Sequence, residues 1–172
     1  MPVSVIENAS FGNSGIVTAN GIKFPATQVA SADANTLDDY EEGTWTPVLN
    51  FNNSPTGITY TRQIGRYTKI GRIVSLQFNI VLSNKGSNAG AATITGLPFP
   101  GYNGPANNAP MQAGWVVAER EASGWSQATY GLVWNDSRMY IRYNNGTTLG
   151  ETNNGNFTNT TEFYYSCTYE IA

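Results

Sequence analysis

The sequence predicts an all-β protein, a jelly-roll-like antiparallel β-sandwich head with a short N-terminal extended arm. Charged residues make up only 12 % of the 172 residues, aromatic residues make up another 12 %, and 18 residues are glycine. Segments in which apolar and polar residues alternate recur along the chain and end at Gly, Pro or Asn. Alternation is the period of a strand, and Gly and Asn supply the turns between strands. No segment keeps the apolar period of a helix over about a dozen residues.

The first part of the chain differs from the rest. Residues 1–35 are small and polar, are interrupted by Gly and Pro, and contain no run long enough to bury a core of their own. Short extended pieces, "GIVTA" and "GIKFPA", could add strands to a partner. We therefore predict an attachment arm over residues 1–35 and a β-sandwich head over residues 36–172.

Strands of the head follow from the alternation. The clearest one, "IVSLQFNIVLS", places five apolar side chains on one face: Val74, Leu76, Phe78, Ile80 and Leu82. "ATITGLPFP" is a second strand that ends at two prolines, and "MQAGWVVAE" is a third. Three further segments follow in the second half of the chain.

The second half of the chain predicts a hairpin, a further turn and a closing strand. In "ATYGLVWNDSRMYIRYNNGTTL", the "NDSR" piece joins two strands and "NNG" gives a further turn. The closing "TEFYYSCTYEIA" places Phe163, Tyr165, Cys167, Tyr169 and Ile171 on one side. We expect about seven or eight strands in all.

Composition argues against several classes of function. The chain has no histidine, which removes the usual general base, histidine-based catalytic triads and the commonest zinc ligand. Its one cysteine, Cys167, forms no internal disulfide and is predicted to be a small buried hydrophobe. Net charge is −3, without the basic footprint of a nucleic-acid-binding protein. No segment approaches the ~20 apolar residues of a membrane span, and no cofactor motif is present.

The acidic segment "LDDYEEGTWTP" raises the question of catalysis. Asp38, Asp39, Glu41 and Glu42 fall within five residues. A glycosidase needs two carboxylates about 5–10 Å apart across a cleft, and a calcium loop needs alternating ligands with carbonyls and a Gly turn. The crowded spacing favours a structural junction between arm and head, with cation binding and catalysis as alternatives.

A basic segment supplies candidate partners for these acids. Arg62, Arg66, Lys69 and Arg72 are the densest group of bases in the chain. In a cyclic oligomer several copies of the acidic cluster come together, and like charges need opposite charges nearby. We expect the basic strand of a neighbouring subunit to pair with them.

Three segments that follow one another resemble a known family. "PATQVASADANTLDDYEEGTWTPVL", "YTRQIGRYTKIGRIVSLQFNIVLS" and "GAATITGLPFP", over roughly residues 21–100, resemble the C-terminal receptor-binding head of bacteriophage tail fibres and tail spikes. The resemblance implies a homotrimeric, all-β virion protein that contacts the bacterial surface. It implies that the arm docks on a tail or baseplate protein and that the chain is a very short fibre or a detached head.

Candidate recognition residues lie in the second half of the chain. Sugars pack their C–H surfaces against aromatic faces, and their hydroxyls form hydrogen bonds with Asn, Asp and Gln. The side chains in loop-like or outward positions are Tyr102, Trp125, Asn135, Asp136, Tyr140, Arg142 and Phe157. Tyr140 and Arg142 should lie opposite the Met139–Ile141 face. The alternative is that these side chains pack in the core or between subunits, as we expect of Trp45, Trp115 and Trp134.

Three hypotheses about function remain. The first is a receptor-binding head that recognises a bacterial surface polysaccharide or lipopolysaccharide from the virion. The second is a purely structural virion or baseplate component without a receptor site. The third, a polysaccharide-cleaving enzyme, is disfavoured because the carboxylates cluster on one segment. Strands with apolar residues on both faces add a physical reason for a homotrimer, since a sandwich buries only one face of each sheet.

Overall fold

The computed structural model describes residues 16–18, 21–33, 35–102, 112–120, 129–134, 137–144, 147 and 149–171. Within them lie twelve strands and one 3-10 turn, Asn154–Asn156. The strands are β1 (Ile16–Thr18), β2 (Gly21–Lys23), β3 (Tyr40–Trp45), β4 (Val48–Phe51), β5 (Ile58–Ile70), β6 (Ile73–Lys85), β7 (Ala92–Thr95), β8 (Gln112–Arg120), β9 (Thr129–Trp134), β10 (Arg138–Asn144), β11 (Leu149–Glu151) and β12 (Glu162–Glu170). In this part of the chain no helix has the length and apolar character to cross a membrane.

Ten of the strands form one antiparallel sheet that packs against itself. The order is β3-β5-β6-β12-β8-β9-β10-β7-β4, with β11 added on β10. The layer that contains β5, β6 and β12 packs on the layer that contains β4, β7 and β10, and one apolar core fills the space between them. The prediction of an all-β antiparallel sandwich is confirmed. The expected number of strands was too low, because β3 lies in the segment interpreted as a junction and β4 has only four residues.

The core contains the apolar faces that the alternation predicted. On β6 the five apolar side chains from Val74 to Leu82 are at most 4 % exposed. On β12 the side chains of Phe163, Tyr165 and Tyr169 are buried, and Cys167 lies among them. Burial raises the pKa of the Cys167 thiol to about 12, so the group stays a neutral thiol at physiological pH. Cys167 is therefore a packing residue, as predicted.

Phe78 lies near the centre of this core. Its ring makes an edge contact with Trp45, at 5.5 Å between centroids, and stacks on Tyr165 at 5.3 Å. Facing side chains from the other layer include Leu49, Phe51 and Ile94, all fully buried. Such aromatic pairs add to the free energy that the buried area contributes. The prediction that Trp45 is a core residue is confirmed, whereas the side chains of Trp115 and Trp134 lie outside the described part of the structure.

The predicted hairpin of the second half is present, and β10 also pairs with the strand that follows the predicted further turn. Strand β9 pairs with β10 in the register Arg138 opposite Trp134, and β10 pairs with β11 in the register Asn144 opposite Leu149. The arm contributes a separate two-stranded ladder of β1 and β2. Between this ladder and the head, the ring of Phe24 contacts that of Tyr40.

Candidate functional site

The acidic segment leads into β3, the edge strand of the ten-stranded sheet, and follows the part of the chain that contains the β1–β2 ladder. Strand β3 lies antiparallel to β5, and Glu41 is the backbone partner of Lys69. The Lys69 ammonium group donates a hydrogen bond to Asp39, and the two side chains are only 9 % and 7 % exposed. The same ammonium group lies 4.9 Å from the centroid of the Phe99 ring, within the range of a cation–π contact. Asp39 and Lys69 therefore form a buried ion pair within one chain.

Each remaining carboxylate of the cluster has a local partner. Glu41 accepts a hydrogen bond from the Tyr67 hydroxyl, and this bond is the main cause that raises the pKa of Tyr67 to about 12. Glu42 accepts one from Tyr40. Asp38 accepts one from the backbone amide of Ser31 at 2.8 Å, which lowers the pKa of Asp38. These bonds connect the arm, β3 and β5, so the arrangement suits a structural junction.

Two glycines explain the aromatic residues at this junction. The ring of Tyr67 lies over Gly43, where a Cβ atom would come within 2.6 Å of the ring. Two residues further on, the indole of Trp45 lies over Gly65, its backbone partner, where a Cβ atom would come within 2.4 Å. Bare backbone at both positions lets the rings cover the neighbouring strand. The "EGTW" and "GRY" segments are therefore complementary in shape.

The pairing of one base, Lys69, differs from the expectation. Lys69 pairs with Asp39 of its own chain rather than with an acid of a neighbouring subunit, because the β3–β5 ladder brings the two together. Arg62 lies 3.7 Å from Glu162, and Arg72 lies 3.2 Å from Glu170. Both acids belong to β12, outside the acidic cluster. In the described residues no group of three or more Cys, Asp or Glu side chains is arranged to hold a metal ion.

Two predicted recognition residues lie where the alternation placed them. Tyr140 and Arg142 are on the face of β10 opposite Met139 and Ile141, which are buried. The Arg142 guanidinium donates to Glu151 at 2.7 Å across the β10–β11 hairpin. Tyr140 and Arg142 are therefore partly exposed on the outer surface of the second layer.

The other predicted recognition residues separate into three groups. Tyr102 is half-buried, and its backbone amide donates to the carbonyl of Glu170 at 2.8 Å. Trp125, Asn135 and Asp136 lie outside the described residues. Phe157 is a correction. It is 1 % exposed and packs against Phe51 and Phe163, so its ring belongs to the core and presents no face to a sugar.

A local motif explains the inward position of Phe157. The side chain of Asn153 accepts a hydrogen bond from Gly155, and the side chain of Asn156 accepts one from the backbone amide of Asn153. This capping box fixes the Asn154–Asn156 turn, and Phe157 follows it directly in an extended conformation. The "NGN" piece that looked like an open loop therefore turns the next ring into the sandwich.

The structure adds a groove that the sequence did not indicate. It lies on the outer face of β5, β6 and β12, where backbone pairing aligns side chains in cross-strand rows. One row consists of Ile64, Asn79 and Tyr164, and the next consists of Arg66, Gln77 and Ser166. The groove is open and shallow, with a volume of about 580 Å³.

Comparisons with known proteins give a likeness of fold. No protein-family model matches the chain, and no curated protein matches it. The crystal structure of the Dettilon tailspike protein (gp208) superposes with a TM-score of 0.59 at 14 % sequence identity, over 76 % of this chain. The chain shares the fold of a tailspike segment. It corresponds to 24 % of the length of that tailspike, so the likeness concerns one part of a larger molecule.

Proposed function

We propose that the protein is a receptor-binding component of a bacteriophage tail that binds a polysaccharide or lipopolysaccharide on the bacterial surface. The observation that carries this proposal is the tailspike-like sandwich over 76 % of the chain. The resemblance of the "LDDYEEGTWTP", "GRYTKIGR" and "TITGLPF" segments to tail-fibre heads supports it independently. The protein would then work on the virion, outside the cell that it recognises.

The first surface that we propose to contact the glycan is the outer face of the layer that contains β4, β7 and β10. Tyr140 offers a partly exposed ring and Arg142 a guanidinium group beside it on the same strand. Tyr102 and the sequence-predicted residues Trp125, Asn135 and Asp136 complete the candidate set. Aromatic rings that pack against sugar C–H groups, next to donors for the hydroxyls, are the composition that glycan recognition needs.

The function proposed is binding without cleavage. Asp39 forms a buried ion pair with Lys69. Glu41 and Glu42 accept hydrogen bonds from tyrosine hydroxyls. All of them lie on one local segment of β3 and its approach. This arrangement lacks the two-sided geometry in which one carboxylate protonates the leaving group and a second attacks or activates water.

The arm is proposed to join the head to another tail or baseplate protein. Residues 21–33 are mostly exposed, and their described contacts with the head are few. They include the Phe24–Tyr40 ring contact and the bond from Ser31 to Asp38. Little apolar surface holds this segment on its own chain, which leaves it able to pair with a partner.

We expect a parallel homotrimer whose subunits contact one another at the end of the head that is nearest the arm. There the outer face of the first layer carries three exposed apolar side chains, Tyr40, Ile70 and Ile73, which are cross-strand neighbours. A cyclic contact would bury this patch three times. Native mass spectrometry at micromolar concentration should give three times the 18.6 kDa chain mass. A single-chain mass would contradict the trimer, and Ile70→Glu with Ile73→Glu should produce that mass.

Cell labelling tests the receptor function. Fluorescently labelled protein, applied to a panel of bacteria with defined surface polysaccharides, should stain a subset of strains and block phage adsorption on them. Loss of staining in mutants without the polysaccharide would identify the receptor class. A protein that incorporates into virions but stains no strain would instead fit the structural virion component. New reducing ends in purified polysaccharide, lost on Asp39→Asn or Glu42→Gln, would show an enzyme and contradict the proposal.

A further inference from the structure

The outer face of β5, β6 and β12 presents a fixed aromatic ring to solvent. Tyr164 is 40 % exposed, and its hydroxyl donates to Glu162 at 2.6 Å. Glu162 in turn lies 3.7 Å from the guanidinium of Arg62. Ile64, which is 51 % exposed, occupies the same cross-strand row as Tyr164. A ring anchored at its polar end beside an exposed aliphatic side chain offers a surface of the kind on which the C–H face of a sugar packs.

Polar side chains with available hydrogen-bonding groups lie in the neighbouring row. Gln77 and Ser166 line the groove, and no described residue makes a hydrogen bond with either side chain. Asn79, by contrast, is occupied, because its amide accepts from Arg62 at 3.2 Å and donates to the carbonyl of Phe163 at 3.3 Å. The groove therefore combines one fixed amide with a free amide and a free hydroxyl, which suits the hydroxyls of a saccharide.

Arg66 gives the groove its charge. The other bases of this face have acidic partners: Arg62 has Glu162, and Arg72 has Glu170. Arg66 is exposed, heads the row of Gln77 and Ser166, and has no acidic partner within 4 Å among the described residues. A guanidinium group binds a carboxylate or phosphate through two parallel hydrogen bonds. A guanidinium group without an acidic partner in the same groove as the Tyr164 ring would favour an anionic sugar over a neutral one.

The groove and the patch assigned to the trimer are separate. Ile70 lies six residues beyond Ile64 on β5, which corresponds to about 20 Å along a strand. Thr68 and Ser75, between them, are polar cross-strand partners. Subunits that meet at the arm end would leave the groove open on each head, giving three copies that act together on a repetitive surface.

We propose that this groove is a binding site for an anionic saccharide, in which Arg66 binds the carboxylate or phosphate and Tyr164 stacks against the sugar ring. The site is distinct from the surface of Tyr140 and Arg142. It rests on the proposed receptor function for its biological role, and its chemistry can be measured separately.

Three small probes test the chemistry on the full-length chain. Methyl β-D-glucuronide carries a carboxylate, glucose 6-phosphate carries a phosphate, and methyl β-D-glucoside is neutral. Saturation-transfer NMR and calorimetric titration at low salt should show that at least one anionic probe binds about tenfold more tightly than the glucoside, the effect of one charge-assisted contact. The stronger of the two anionic probes indicates which group the natural saccharide carries. Equal affinity for all three would overturn the proposal.

Matched variants assign the effect to the groove. Arg66→Gln should weaken binding of the anionic probe about tenfold and leave the glucoside unchanged. Arg72→Gln is the control, because it removes the same charge from the same face outside the groove. Tyr164→Ala should weaken all three probes, whereas Tyr164→Phe should retain most of the binding. Because these side chains are exposed, the variants should fold normally. An unchanged midpoint of thermal unfolding would verify this. An Arg66→Gln effect no larger than that of Arg72→Gln would overturn the assignment.

Cell labelling separates this site from the receptor function as a whole. If the protein stains bacteria and Arg66→Gln changes neither staining nor probe binding, the groove proposal fails while the receptor function stands. If the protein stains no strain yet binds the anionic probe through Arg66, the groove stands and the receptor function fails. Loss of both staining and probe binding in Arg66→Gln supports the two together.

Discussion

Replacing Asp39 with Ala should lower the free energy of unfolding by about 3–5 kcal/mol, because it leaves the ammonium group of Lys69 buried without its carboxylate. Both side chains are less than a tenth exposed, and Lys69 also lies against the Phe99 ring. Water therefore has little access to the charge that would remain. Urea unfolding, followed by tryptophan fluorescence, measures the change.

An exposed ion pair on the outer face provides the control. Arg72 is 66 % exposed and pairs with Glu170, so Arg72→Ala should cost at most about 1 kcal/mol. Replacing both members of the buried pair, with Asp39→Leu and Lys69→Met, should recover much of the loss, since no uncompensated charge remains. A cost for Asp39→Ala that is no greater than that of Arg72→Ala would contradict the burial argument.

The spacing of the bases along β5 already indicated that Lys69 differs from Arg62 and Arg66. Lys69 is three residues from Arg66 and therefore lies on the opposite face of β5, whereas Arg62 and Arg66 share a face. Treating the four bases as one group concealed this difference. The identity of the partner could not be read in the same way, because it depends on β3 lying beside β5 in the register that places Glu41 opposite Lys69.

Long alternating strands were predictable, and features built from several strands were not. The buried faces of β6 and β12 followed from their period of two, because each strand has at least nine residues in which to show it. The groove draws on Ile64, Gln77 and Tyr164, which are far apart in sequence and are aligned only by backbone pairing. The alternation of β12 puts Tyr164 on its outward side, but the residues beside it across the sheet do not follow from that alternation.

The loop-like composition around Phe157 led to a wrong prediction, because its ring was expected at the surface and lies in the core. The Asn- and Gly-rich piece before Phe157 is a capped turn, and the ring after it is required for the aromatic contacts with Phe51 and Phe163. Turn residues indicate where the chain changes direction, but they do not indicate on which side of the sheet the next residue lies. Tyr140, placed by alternation rather than by loop composition, was located correctly.

The junction motif leads to the second large effect. Gly65→Ala should destabilise the head by about 1–3 kcal/mol, the usual cost of overpacking a core. The new Cβ atom would lie 2.4 Å from Nε1 and 2.6 Å from Cδ1 of the Trp45 indole. Gly65 does not have a positive φ, so its backbone conformation is open to alanine and the cost comes from packing. The indole cannot simply move aside, because its other contacts include the edge of the Phe78 ring.

Two comparisons show whether the indole is the cause. Gly43→Ala creates a similar clash with the Tyr67 ring, but that ring is only partly buried and can swing outward, so the cost should be smaller. In a Trp45→Leu background the obstructing ring is absent, and Gly65→Ala should then cost much less than in the original chain, a non-additivity expected of residues in contact. Thermal unfolding of the four proteins in this cycle measures the coupling. Equal costs in the two backgrounds would show that Gly65 is required for some reason other than the Trp45 ring that covers it.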